Sequence, residues 1–125
     1  MHLTDAGGGS FEVRMVVDTG ADKTVFTADV LAATGLTPLP SGDRLEGAGG
    51  TTRAVSLGTV ILFTTSDNKQ VRMNGPFLAF TDPTALDLNV LGRDVLNNFD
   101  VIVSRRKKTV ALLADPHTFI IDPPV

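Results

Sequence analysis

Apolar residues recur at every second position from Phe11 to Val17, which predicts a half-buried strand over 11–17. The glycine-rich stretch before it predicts a turn, so residues 2–5 are expected to form a hairpin with that strand. Short runs of β-branched and aromatic residues extend this pattern along the chain. The further strand candidates are 59–65, 70–73, 77–80, 88–91, 101–103, 109–113 and 118–121.

Helical signals are few. Thr27 is a suitable N-cap for a short helix over 28–33, which Gly35 would end. One further helical turn is predicted over 94–98. Many short strands punctuated by glycine and proline favour an all-β fold, either closed or sandwiched.

The chain has 125 residues, and this length predicts a single domain spanning residues 1–125. A formal net charge of -3 gives no electrostatic argument for binding nucleic acid or an anionic membrane. The basic run at 105–108 lies between the strand candidates 101–103 and 109–113 and is interpreted as a charged hairpin turn. Contact with nucleic acid or anionic lipid is the less favoured alternative, because the chain is acidic overall and no aromatic residue interleaves with the run. The sequence shows no apolar run of the ~20 residues that a membrane span needs and no recognisable signal peptide. Two questions are left open, namely the localisation and whether the domain is cut from a longer protein.

Cysteine is absent, so disulfides, thiolate catalysis and cysteine-based zinc sites are excluded. His2 and His117 are far apart and lack metal-ligand spacing. We therefore predict no metal and no cofactor.

Asp18-Thr19-Gly20 directly follows an apolar strand, which places a carboxylate at the end of a rigid element. One carboxylate is a poor catalyst of peptide hydrolysis, because one group must accept a proton and another must donate one. Two neighbouring carboxylates can share a proton and do both. The sequence contains one such turn, so the second carboxylate is expected from a second copy of the chain. Taken alone, the tripeptide is better interpreted as an ordinary strand-ending turn.

Four segments together resemble retropepsin-like aspartic proteases. Val16-Val17-Asp18-Thr19-Gly20-Ala21-Asp22 resembles the active-site signature of that family, and 27–36 resembles the segment that follows it. Gly47-Ala48-Gly49-Gly50 resembles the tip of the flap. Val90-Leu91-Gly92-Arg93-Asp94 resembles the second signature. The resemblance covers roughly residues 11–113 and implies a closed β-barrel-like acid protease fold with one lobe per chain.

The resemblance also implies roles for individual positions. Asp18 would activate water, Thr19 would bond across a dimer axis, and Gly20 would bond the substrate backbone. Arg93 would pair with Asp22, a charge-assisted contact that fixes the turn. The substrate-binding positions would be Ala21, Asp22, Lys23, Gly47, Ala48, Gly49 and Gly50. The supporting positions would be Gly92, Arg93 and Asp94.

Two positions depart from the family pattern. Lys23 stands where some members carry a second acid, and Ala48 is small for a flap tip. The first hypothesis is a homodimeric aspartic endopeptidase acting on a peptide or protein substrate, with the dimer contact in the C-terminal region. The alternative is a module of the same fold that dimerises or binds peptides with little or no proteolysis.

Overall fold

The computed structural model describes residues 1–47 and 50–115, which form twelve strands and two helices. The first six strands are β1 His2–Thr4, β2 Ser10–Glu12, β3 Val16–Val17, β4 Val25–Phe26, β5 Leu39–Gly47 and β6 Gly50–Leu57. The others are β7 Val60–Thr64, β8 Gln70–Asn74, β9 Phe77–Phe80, β10 Val90–Leu91, β11 Asp100–Ser104 and β12 Thr109–Leu113. The helices are α1 Ala28–Thr34 and α2 Arg93–Leu96.

Three sheets contain all of these strands. Their strand orders are β2-β1-β7-β8, β3-β10-β4-β9-β6-β5 and β11-β12. The all-β prediction with one or two short helices is confirmed. The sheets are open at their edges, so the word closed describes this fold only loosely.

The six-stranded sheet brings segments that are distant in sequence together at one end of its strands. Its strands pair in a row through Val16, Val90, Val25, Leu78, Ser56 and Leu39. β3 and β10 run in parallel, whereas β4 and β9 run against them. The last residues of β3, β10 and β6 therefore lie at the same end of the sheet as the first residues of β4, β9 and β5.

The apolar core lies between the sheets and the two helices. Its larger cluster includes Leu3, Phe26, Ile61 and Val95, each with 0% of its surface exposed. Phe77 and Phe80 are buried. Phe63 and Phe99 are partly buried and meet edge to face with ring centroids 5.5 Å apart.

Local signals placed several elements correctly. Thr27 caps α1 by accepting a hydrogen bond from the Val30 amide, and Gly35 ends it in the left-handed conformation at φ 64°. The charged turn predicted at 105–108 joins β11 and β12 in a hairpin, and β7 and β8 form a second hairpin.

The expected strand over 11–17 is wrong in one respect, because it is split into β2 and β3. Between them the chain changes partners. The Val13 amide bonds the Met1 carbonyl at 2.9 Å, whereas the Val16 amide bonds the Asn89 carbonyl at 2.8 Å in the other sheet. Similarly, only Val90–Leu91 of the predicted run at 88–91 is a strand.

The sequence did not predict strands at the positions of β4, β5 and β6. The strand candidate at 118–121 lies outside the described residues. Neither of the helices in the described ranges is long and apolar enough to cross a membrane.

Candidate active site

Asp18 lies in a turn at the end of β3, and backbone hydrogen bonds hold the turn at both of its ends. The Asp18 amide donates to the Leu91 carbonyl at 3.1 Å, and the Ala21 amide donates to the Asp18 carbonyl at 3.2 Å. Oδ1 of Asp18 accepts the Gly20 amide at 2.9 Å. Asp18, Thr19 and Gly20 are all exposed. The backbone of the turn is thus fixed while the carboxylate faces solvent.

The beginning of α2 holds the second half of this turn. The Arg93 amide donates to the Ala21 carbonyl at 2.9 Å, and the Asp94 amide donates to the Asp22 carbonyl at 3.2 Å. These bonds join segments that are about 70 residues apart in sequence, so the two signatures form one structural unit.

Gly92 is required by a close approach of two backbones. A Cβ atom at this position would lie 2.4 Å from the carbonyl carbon of Lys23 and 2.5 Å from its oxygen. Real Cβ contacts are longer than 3.0 Å. The absence of a side chain therefore lets the end of β10 lie directly against the segment that enters β4.

Thr24 links these backbones and was missed by the sequence analysis. Its side chain is fully buried, and its Oγ1 donates to Oδ1 of Asp94 at 2.7 Å. The same Oγ1 accepts the Gly92 amide at 3.0 Å. Oδ1 of Asp94 also accepts the amides of Thr24 and Val95, both at 2.9 Å. The available signal was a hydroxyl residue at the start of the apolar run 24–26, but nothing in the sequence identifies its partner.

Asn89 is a second supporting residue that the sequence analysis did not identify. Its Oδ1 accepts the Thr27 amide at 2.9 Å, and its Nδ2 donates to the Arg14 carbonyl at 3.1 Å. One amide side chain thereby ties the segments before β3, before β10 and before α1 to each other.

Arg93 and Asp22 form the ion pair that the resemblance implied. The Arg93 guanidinium donates to Oδ1 of Asp22. The side chains remain 47% and 81% exposed, respectively. Such pairs contribute about 0–1 kcal/mol to folding, so its effect is to orient the turn more than to stabilise the fold.

Two of the predicted flap residues belong to the β5–β6 hairpin, since Gly47 ends β5 and Gly50 begins β6. Gly47 pairs with Gly50 at the last register position of these two strands. Ala48 and Gly49, the other two predicted flap residues, lie outside the described residues. The register between β5 and β6 shifts between Pro40 and Arg44, so the hairpin is irregular near its base.

The predicted site residues thus fall into two groups. Hydrogen bonds and one ion pair join residues 18–23 to residues 92–94, and the two segments lie together at one end of the six-stranded sheet. Gly47 and Gly50, two of the predicted flap residues, belong to the neighbouring hairpin. Within 1–47 and 50–115, no cluster of three or more histidine or acidic side chains is placed to hold a metal ion. An exposed carboxylate on a rigid turn is suited to acid–base chemistry.

Comparisons with known proteins agree with this geometry. A family model described as aspartyl protease matches residues 6–95, which is well over half of the chain. Among solved structures, the chain is similar to the EIAV protease complexed with the inhibitor HBY-793. The TM-score is 0.50 and the identity 19%, and the alignment covers 78% of this chain and 83% of that chain. At this identity the likeness concerns the fold. No curated protein matches the chain.

Proposed function

The chain belongs to the aspartyl protease family, and we propose that it is a homodimeric endopeptidase whose two Asp18 carboxylates, one from each copy, activate a water molecule. One observation carries this proposal. Asp18 is exposed on a turn whose backbone is bonded on both sides, to Leu91 and to the start of α2. A reactive group needs such fixed geometry together with access to substrate.

The mechanism requires a second carboxylate near the first. One copy of Asp18 takes a proton from water while its partner donates one to the carbonyl oxygen of the substrate. Asp22 and Asp94 are poor candidates for this second role, since one pairs with Arg93 and the other accepts bonds from Thr24. A twofold axis beside Asp18 supplies an identical group from a second copy. Thr19, exposed beside it, would bond across that axis.

The C-terminal hairpin has features of a surface for this association. Val103 and Val110 are cross-strand partners, yet they are 62% and 40% exposed. Within the described part of the chain, the two-stranded sheet has no further strand on either edge. A second hairpin packed antiparallel would cover the valines. It would also keep the two basic turns at 105–108 apart and set each near Asp115 of the other copy.

The substrate would lie in extended form between the turn and the β5–β6 hairpin. Gly20 and Asp22 would bond its backbone, as in other cases where a peptide adds to a sheet as a strand. Closure of the hairpin tip, 47–50, over the peptide stays a prediction.

The first experiment compares the chain with Asp18→Asn on a diverse peptide mixture at mildly acidic pH. The substitution keeps the shape of the side chain and removes its ionisation. Cleavage by the parent alone supports the proposal. No cleavage by either protein, from a preparation shown to be dimeric, would favour the peptide-binding module instead. Equal cleavage by both would point to a contaminating protease.

Association is measured separately by sedimentation velocity at micromolar concentration. Val103→Asp should shift the protein towards monomer and reduce cleavage in parallel. Leu88→Asp is the matched control, because Leu88 is 56% exposed but lies outside the hairpin. If both variants remain as dimeric as the parent, the hairpin is not the contact surface.

A further inference from the structure

A long groove between the C-terminal hairpin and the β7–β8 hairpin has no assigned role. Its volume is about 1060 Å³, and none of residues 18–23 or 92–94 lines it. Residues 63–67 and 69–71 form one side, residues 110–115 form the other, and Phe99 also lines it. Six residues in extended form span about 20 Å, so the groove is long enough to hold a strand.

The groove follows one edge of β12 rather than one of its faces. Successive side chains of a strand point to opposite faces, yet every residue from 110 to 115 lines the groove. The other edge of β12 is paired with β11, and none of residues 100–104 is among the lining residues. Within the described part of the chain, β12 has no second partner strand. Its unpaired edge is therefore suited to pair with another strand.

Much of the lining is apolar. Phe63 and Phe99 meet edge to face, and Leu112 is partly buried against the same core cluster. Asp67 and Lys69, two charged residues of the lining, pair with each other at 3.5 Å. The groove therefore fits a strand whose side chains are apolar and uncharged.

The chain supplies such a segment directly after the groove. Thr118-Phe119-Ile120-Ile121 consists of residues that are enriched in strands. Asp115 lines the groove and the backbone bends there, and Pro116 is suited to the turn that follows. Pro123 has no amide hydrogen, so it would end the pairing on the far side. Residues 114–117 would make a four-residue connection, a common length for a hairpin.

We propose that residues 118–121 bind in this groove of the same chain and pair antiparallel with the free edge of β12. With residues 114–117 as the connection, Phe119 lies opposite Leu112 and Ile121 lies opposite Val110. Side chains of directly opposite residues share a face, so Phe119 and Ile121 lie on the face by which Leu112 packs against the core. The inference concerns the fold of each copy and holds whether or not the chain hydrolyses peptides.

The same register makes the charges complementary. It sets Asp122 opposite Thr109, which directly follows the basic turn at 105–108. Opposite charges on neighbouring strands are favourable. A parallel arrangement would instead carry Asp122 towards Asp115.

The test is disulfide trapping, which is clean because the chain contains no cysteine. Directly opposite Cα atoms in an antiparallel pair are about 4.5–5.5 Å apart, within the range that a disulfide spans. Val110→Cys combined with Ile121→Cys should therefore form a bond within one chain when oxidised glutathione is added. The matched control combines Ile121→Cys with Glu12→Cys, because Glu12 is exposed and β2 is at the opposite side of its sheet from β8. The paired variant should be oxidised about tenfold faster than the control, since a docked segment has a higher effective concentration than a free one.

Non-reducing electrophoresis and peptide mapping distinguish the outcomes. A bond within one chain, formed faster than in the control, supports the inference. A bond between two chains would overturn it, because the groove would then hold the segment of a second copy. Equal rates in the two variants would also overturn it, since a free segment reaches both positions by collision.

A second measurement needs no cysteine. Ile121→Ser should lower the melting temperature by about 3–8 °C at fixed protomer concentration, because a buried apolar side chain is lost. Ile120→Ser is the control for register, because its side chain lies on the opposite face, and it should lower the melting temperature less. A shift below about 1 °C for Ile121→Ser would overturn the inference. A larger shift for Ile120→Ser than for Ile121→Ser would overturn the proposed register.

Discussion

Replacing Gly92 by Ala tests whether the two signatures of the chain act as one unit. The new methyl group would meet the Lys23 backbone, with distances of 2.4 Å to its carbonyl carbon, 2.5 Å to its oxygen and 2.9 Å to its nitrogen. Favourable contacts between carbon atoms are about 3.5–4.0 Å long. The backbones must therefore separate by roughly 1 Å, because no flexible side chain can move aside.

The expected cost follows from two contributions. Overpacking a well-packed site costs about 1–3 kcal/mol. The separation also strains the buried bond from the Gly92 amide to Oγ1 of Thr24, now 3.0 Å long, and a buried amide left unpaired costs about 1–3 kcal/mol. A total loss of about 2–6 kcal/mol is expected. For a chain of this length that lowers the melting temperature by roughly 6–30 °C.

The assay is thermal and urea unfolding followed by circular dichroism at one fixed protomer concentration, because association makes the melting temperature concentration-dependent. Gly58→Ala is the matched control, since a Cβ at Gly58 meets nothing within 4 Å. A melting temperature for Gly92→Ala within about 2 °C of this control would show that the close approach to Lys23 is not rigid. It would refute the argument that the second signature braces the first.

Two further substitutions test the supporting bonds. Thr24→Val keeps the shape of a fully buried side chain but leaves the Gly92 amide without its hydrogen-bond acceptor, so urea unfolding should show the free energy of unfolding lowered by about 1–3 kcal/mol. Thr64→Val, at an exposed position, is the control and should change that free energy by less than about 0.5 kcal/mol. Equal losses in the two variants would contradict the role of Thr24. The Thr84 backbone amide and hydroxyl lower the pKa of the Asp82 carboxyl below its ordinary value, so its stabilising effect is present above the ordinary pKa of Asp and is lost as the pH falls through the lowered one. Thr84→Val removes the hydroxyl and keeps the backbone amide, so an NMR titration should show the pKa of Asp82 moving only part of the way upwards. An unchanged value would contradict the contribution of the Thr84 hydroxyl.

Several features follow from residues that are neighbours in sequence. Thr27 and Gly35 bound α1 because capping depends on one hydroxyl and one left-handed residue. The hairpin of β11 and β12 is also local, because the two paired strands are joined directly by the charged turn at 105–108. The Asp18 turn is also local, since Gly20 donates to the carboxylate two residues away. The resemblance added Arg93 as the partner of Asp22, which the structure places together.

What the tertiary structure alone decided are the contacts between segments far apart in the chain. The alternating pattern over 11–17 predicts which side chains face inward, but it carries no information that the backbone changes partners near Arg14. In the sequence, Thr24 is indistinguishable from an ordinary strand residue, and only the folded chain brings its hydroxyl next to Asp94. Local propensity concerns one segment at a time, whereas the hydrogen-bond partner of a buried hydroxyl can lie in a segment that is distant in sequence. The sequence by itself thus identified the candidate carboxylate, Asp18, and only the fold determined what holds it in place.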